Sequence, residues 1–273
     1  MIMKLRLRQL TLISLAGVAL LSLAGCGHST DAAKASKVAF ATTAQNSKQQ
    51  VWYRLNTSTP KTNSQVNDIL IQQKGKVTDY QVRGIFLTEL NRKSIAQTIT
   101  LAKNNERTAF NKTLKSQQTN YQGELKLDKS NQKNSNQYTY KKGIAQANNE
   151  AKQDQQRYNQ FKQSTKQLHF TATKAYPVTA KVGKNKSGKQ VTSETITLTA
   201  QKWQFGTANS GTVKQVSQHK QIALNIDNLM AKPITVNGTK YIGYYGSPDA
   251  LVTKTTNAKA ESNFDTPSVH GVH

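Results

Sequence analysis

Residues 234–241 read Ile-Thr-Val-Asn-Gly-Thr-Lys-Tyr, and this stretch decides the fold class. Asn-Gly between two short apolar-alternating runs is the strongest short-range signal for a β-hairpin, because its two-residue turn needs positive φ at both central positions. Working outward, Ser247-Pro248-Asp249 reads as a turn, and Leu251-Val252 as a strand closing the sheet. Upstream, Ile222, Leu224 and Ile226 alternate, as do Ile196, Leu198 and Ala200. Tyr176, Val178, Ala180 and Val182 alternate too, with loop 183–189 leading to the next run. Period-two alternation marks half-buried strands. Consecutive hairpins predict an antiparallel sheet.

The first half adds more strands and the helices. Val51–Leu55 (VWYRL) is the first strand, and Val66–Ile71 and Val77–Val82 flank the turn Gln73-Lys74-Gly75-Lys76. Ser94 and Gln97 have the spacing of a capping box. Ile95, Ile99, Ala102, Phe110 and Leu114 follow as a helical stripe. Tyr121, Leu125 and Leu127 suggest a strand, residues 128–136 a polar loop, and Tyr138-Thr139-Tyr140 its partner. Ile144, Ala147, Ala151, Asp154, Tyr158, Phe161, Thr165 and Leu168 alternate three- and four-residue steps. That stripe predicts a second long helix, seated on the sheet more readily than paired in a coiled coil. The expected class is α+β: an antiparallel sheet of hairpins with two main helices packed on it, spanning residues 51–253. Residues 26–50 read as a flexible tether and 254–273 as a disordered tail.

The N-terminus carries Lys4, Arg6 and Arg8, then an uncharged run from Leu10 to Gly25. A positive region, a short apolar region and small residues before a cleavage point define a secretory signal. Its strongly apolar part, Leu10–Leu23, is shorter than the roughly 20 residues a membrane helix needs. It closes on Leu23-Ala24-Gly25-Cys26, which resembles the lipobox of bacterial lipoprotein precursors. The resemblance implies cleavage between Gly25 and Cys26, a diacylglycerol on the Cys26 thiol, and residues 1–25 as signal peptide. Two acyl chains suffice for stable anchoring where one is marginal. The implied location is the outer face of a cell membrane. Cys26 is the only cysteine, so no internal disulfide is possible. The lipobox, VWYRL, IQQKGKVTDYQV, LTELNRKSIAQTITLAKNN and TKYIGYYGSPDALVTKT together resemble small surface lipoproteins of lactic-acid-type Gram-positive bacteria. That resemblance carries over no catalytic residue.

The chain is strongly basic, with 38 Lys and Arg against 14 Asp and Glu. Without the three basic residues of the signal the net charge is +21, spread along runs such as Lys126–Lys142 and Lys181–Lys189. One reading is a solvated surface that keeps an amide-rich protein soluble; the other is attraction to anionic polymers of the envelope. Nothing points to specific nucleic-acid recognition. Hydrophobic residues make up 36%, which predicts a modest core.

No Gly-rich phosphate loop, GxSxG elbow or HExxH pair is present. The five histidines are scattered, His270 and His273 lie three apart without an acidic or thiol cluster, and no metal or cofactor is expected. Tyr241, Tyr244 and Tyr245 form the densest aromatic cluster. They are candidate ligand contacts, although strand spacing also suits them to a sheet, with Tyr241 and Tyr245 on one face and Tyr244 on the other. The expectation is a non-catalytic, lipid-anchored envelope protein; the alternative is the solute-binding lipoprotein of a transporter, which would need two α/β lobes.

Overall fold

The computed structural model describes residues 33–135, 141–166, 168, 170–205, 213–225 and 228–273. Along the chain run β1 (Lys37–Val38), α1 (Phe40–Ala44), β2 (Gln50–Leu55), β3 (Gln65–Gln73), β4 (Lys76–Phe86), α2 (Leu87–Leu90), α3 (Ile95–Ser135) and α4 (Lys141–Lys166). The second part contributes β5 (Tyr176–Pro177), β6 (Thr179–Lys184), β7 (Val191–Phe205), β8 (Val213–Asn225), β9 (Ile234–Val236), β10 (Thr239–Tyr244), β11 (Leu251–Lys254) and β12 (Glu261–Ser262). The class is α+β, as expected.

Asn237 and Gly238 have φ of 46° and 78°, and Lys74 and Gly75 have 51° and 72°. Positive φ at both central residues lets a two-residue turn follow the twist of its strands, so these pairs close β9–β10 and β3–β4. The main sheet has seven antiparallel strands in the order β5-β4-β3-β2-β11-β10-β9. Leu251-Val252 does close the sheet, inserting β11 between β2 and β10.

Register sorts this sheet into two buried faces. Trp52 lies opposite Leu70 and Thr253, and Tyr53 opposite Ile69 and Val252, so the Trp52 and Tyr53 sets point opposite ways. The Trp52 face is covered by α1 and by a second antiparallel sheet, β6-β7-β8. The other is covered by α2 and the first turns of α3, where Leu87, Leu90 and Ala102 are fully buried. A sheet buried on both sides has near-continuous apolar strands, and β2 is buried at five of its six residues.

Three expectations are corrected. Residues 33–50, read as tether, are part of the domain: Val38 and Phe40 are fully buried, and β1 pairs in parallel with β12. Residues 254–273, read as a loose tail, carry that partner strand, and Val272 bridges Ala180 alongside β6. Small and polar composition hid both segments because they are held by backbone hydrogen bonds, such as Glu261 N–H to Ser36 O (2.8 Å) and His273 N–H to Ala180 O (2.9 Å). Residues 121–135, read as strand and loop, continue α3 as helix. Tyr121 is buried there while Leu127 is 61% exposed; the stripe that counts is Tyr121, Leu125, Asp128 and Gln132, at helical spacing.

The two long helices pack on the sheet only in part. Past Tyr121, α3 runs against α4, with Tyr121 and Phe161 rings 5.0 Å apart. The stripe Ile144, Ala147, Ala151, Asp154, Tyr158 and Phe161 is the less exposed side of α4, and its cover is α3. Tyr138–Tyr140, Gly25 and Cys26 lie outside the described residues.

Candidate functional site

The tyrosine cluster is part of the core. Tyr241 and Tyr244 are fully buried. The Tyr241 hydroxyl donates to Asn91 Oδ1 at 2.6 Å. The Tyr244 hydroxyl accepts from Phe40 N–H (2.9 Å) and donates to Asn263 O (3.0 Å), and its ring stacks on Trp52 at 5.7 Å. Burial pushes both phenols above the usual tyrosine range. Tyr245 packs against the same core. Tyr241 and Tyr244 order the sheet and offer no open face to a ligand, while Tyr245 is half-buried.

Two buried carboxylate groups come together that sequence spacing does not reveal. On the Trp52 face Asp68 accepts from Arg54 and from Lys220 Nζ (2.5 Å), Asp79 lies 3.1 Å from the same Nζ, and Arg54 also pairs with Asp249. Burial, then the Asp68 charge, pushes Asp79 up to about 7 against the pull of Lys220. Asp68 and Asp79 sit on the two arms of one hairpin, within two residues of register, which is the one sequence signal that predicts their meeting. In the second group Asp265 accepts from Ala41 and Thr42 N–H (2.6 Å each) and from the Thr42 hydroxyl (2.5 Å). Its own N–H donates to Glu194 Oε2 at 2.9 Å. Burial, then the Asp265 charge, pushes Glu194 up to about 8. Asp68, Asp79, Glu194 and Asp265 are each 1% exposed, so a substrate reaches none of these four without the sheets parting; Asp249 is partly exposed. Their role is to join sheets and termini.

The open site lies where α3 crosses the edge of β4. The capping box fixes the start of α3: Gln97 N–H donates to Ser94 Oγ (3.2 Å) and Ser94 N–H to Gln97 Oε1 (2.9 Å). One turn past buried Ala102, Asn105 donates to Arg83 O and accepts from Arg83 N–H, both at 3.0 Å. A cleft of about 400 Å³ runs beside this pair, lined by Arg83, Asn105, Thr108, Lys112, Thr113 and Ser116, with Ala109 among them. A smaller cleft of about 170 Å³ shares Arg83, Ala109 and Thr113 with it and reaches Glu106, Lys202 and Trp203. Phe110, Phe170, Trp203 and Phe205 fill the space behind, Phe110 and Trp203 with ring centroids 4.4 Å apart. Burial raises the Glu106 carboxyl, and the Thr173 hydroxyl and N–H hold it.

Chemically the larger cleft is a set of cations, amides and hydroxyls, and the smaller one adds the Glu106 carboxyl and the rings of Phe110, Trp203 and Phe205. No His or Cys lines either cleft, and among the described residues no group of three or more His, Cys, Asp or Glu is placed to hold a metal ion. Sequence reasoning missed Arg83, Asn105 and Lys202, because their meeting depends on where a helix crosses a sheet edge. No protein-family model, curated protein or solved structure matches this chain.

Proposed function

We propose that this chain is a non-catalytic protein held by lipid on Cys26 at the outer face of a cell membrane, where its basic surface adheres to anionic polymers of the envelope. The observation that carries the adhesion is the sorting of charge. Asp68, Asp79, Glu194 and Asp265 are buried, whereas no Lys or Arg among the described residues is. The surface is therefore more basic than the composition. Each basic residue near an anionic surface contributes about 1 kcal/mol within a Debye length.

The folded segment begins at Ala33 at the latest, so six residues separate it from Cys26, and the seven steps between them span at most about 25 Å. The domain then stays close to the lipid, and α3, with 41 residues or about 60 Å of helix, supplies the reach. Among the described residues no helix is long and apolar enough to cross a membrane. Apart from the two-stranded parallel pair β1–β12, the described strands form antiparallel sheets around one main core and not two similar α/β lobes, which gives the solute-binding alternative no support.

Retention of the detergent-extracted protein on isolated wall tests the adhesion. Bound protein should fall at least about fivefold between low and physiological ionic strength, as the Debye length shortens. Retention indifferent to salt, or none at low salt, contradicts it.

A further inference from the structure

We propose that the groove between α3 and the edge of β4 seats a segment of a phosphodiester-linked polyol chain. This deepens the adhesion reading above and rests on it.

The groove is built to take something other than a strand or a helix. Among the described residues β4 pairs, besides β3, only with β5, at Lys76 and Val77. Farther along, the Arg83 backbone is closed by Asn105, so strand addition at that point has no free backbone groups to use. A docked helix needs an apolar trough, whereas Ala109 is the one apolar residue among the seven lining the larger cleft. What remains is polar and cationic. Asn105, Ala109 and Thr113 form one row along α3, and Thr108, Lys112 and Ser116 the next, each repeating at four residues. From Asn105 to Ser116 the rows run about 16 Å along the helix. Arg83 from the strand and Lys112 from the helix both line the space, both exposed, and no acidic residue joins them there.

Such a surface matches a chain that alternates anions with hydroxyls. Arginine offers a planar fork to phosphate oxygens, and charge-assisted hydrogen bonds are the stronger kind. Thr108, Ser116 and Asn105 can exchange hydrogen bonds with polyol hydroxyls. Thr113 already donates to Ala109 O at 2.9 Å and offers only its lone pairs. The path continues over the smaller cleft, past Gln81, Gln201 and Lys202. There Glu106 is occupied by Thr173, and the unpartnered Trp203 indole N–H is buried. Single-stranded nucleic acid would need free aromatic faces for its bases. The larger cleft, which holds Arg83 and Lys112, has no aromatic side chain, and the rings that line the smaller one, Phe110, Trp203 and Phe205, are tilted or stacked on one another and on Phe170. The cationic part of the groove therefore suits the backbone-type chemistry of phosphate and hydroxyl.

The test is binding of a short synthetic glycerol-phosphate oligomer to the detergent-solubilised full chain, read by fluorescence anisotropy at physiological salt. The double variant Arg83→Gln/Lys112→Gln is compared with Lys181→Gln/Lys189→Gln, which removes the same charge from another surface. All four residues are exposed, so both variants should keep the wild-type melting curve. The groove pair should weaken binding about tenfold, and the distant pair less than about twofold, since screening limits charges beyond a Debye length. Equal losses for the two pairs overturn the site and leave general adhesion standing. An oligonucleotide of matched charge bound as tightly as the glycerol phosphate overturns the ligand class. No binding of any polyanion even at low salt overturns both this proposal and the adhesion on which it rests.

Discussion

Glu194 and Asp265 place two carboxyl groups together where water does not reach, and the arrangement makes stability depend on pH. Glu194 ionises near 4.5 in an unfolded chain, but in the fold it keeps its proton up to about pH 8, through burial first and the Asp265 charge second. Between those values the folded state binds the extra proton, so this contribution is fully present below pH 4.5 and is lost as pH rises toward 8. Asp79, raised from 3.8 to about 7, acts in the same direction. Glu194→Gln keeps the shape, gains an amide N–H for the Asp265 carboxylate, and removes the titration. Its thermal unfolding should match the wild type near pH 4.5 and show greater stability at pH 8, by an amount on the order of 1 kcal/mol. A variant less stable at pH 8 would show that the ionised pair is favourable. Gly243 is a second residue whose chemistry is dictated by its surroundings. A Cβ there would lie 2.1 Å from Leu251 O, at a φ of 153°, forcing β10 from β11 in the middle of the sheet. Gly243→Ala should cost about 3 kcal/mol in denaturant unfolding; a loss under about 1 kcal/mol would mean the strands part easily.

Among the elements, α3 joins two environments. Its first turns lie on the main sheet, and its far half rests on α4 through Tyr121, Tyr158 and Phe161. Ser94→Ala removes a cap oxygen at the sheet end and should cost about 1 kcal/mol of global stability. Phe161→Ala acts elsewhere, emptying the small aromatic contact between the helices. Amide exchange in residues 122–135 and 143–160 should quicken by roughly tenfold or more, while β2 and β3 amides keep their rates. Equal acceleration in both would show one cooperative unit. The strands and hairpins between residues 50 and 254 were legible in the sequence where they carry their own signal: Asn237-Gly238 and Lys74-Gly75 set turns, and alternation in β7 matches the buried Glu194, Ile196, Leu198 and Ala200. The stripe on α4 was legible as well, but not its partner, since a stripe states which side is covered and not by what. The far half of α3 was misread because Tyr121, Leu125 and Leu127 imitate a strand. In the helix Leu127 is exposed, and polar Asp128 and Gln132 continue the contact row.

Over the whole molecule, the two termini knit the domain shut. Residues 33–38 and 255–263 exchange backbone bonds, Thr256 N–H to Ala33 O (2.7 Å) and Asn263 N–H to Val38 O (2.9 Å) among them, and Asp265 receives the Ala41 and Thr42 N–H groups of α1. Composition concealed this, because backbone pairing needs no large apolar side chain. It concealed the groove for a related reason: Arg83 and Lys112 are ordinary surface cations until a helix crosses a strand edge. The basic balance was legible, but not that four acids turn inward and leave the cations outside. All of this bears on function only if the chain is held where anionic polymers are. The most direct measurement is therefore made on Cys26, by N-terminal peptide mass and membrane fractionation of wild type and Cys26→Ala in a lipoprotein-processing bacterium. The account predicts a wild-type N-terminus at Cys26 carrying diacylglycerol, found with membranes, and a Cys26→Ala protein either uncleaved or released to the medium. A wild-type chain with an unmodified Cys26, or a variant that is processed and fractionates as the wild type does, contradicts it.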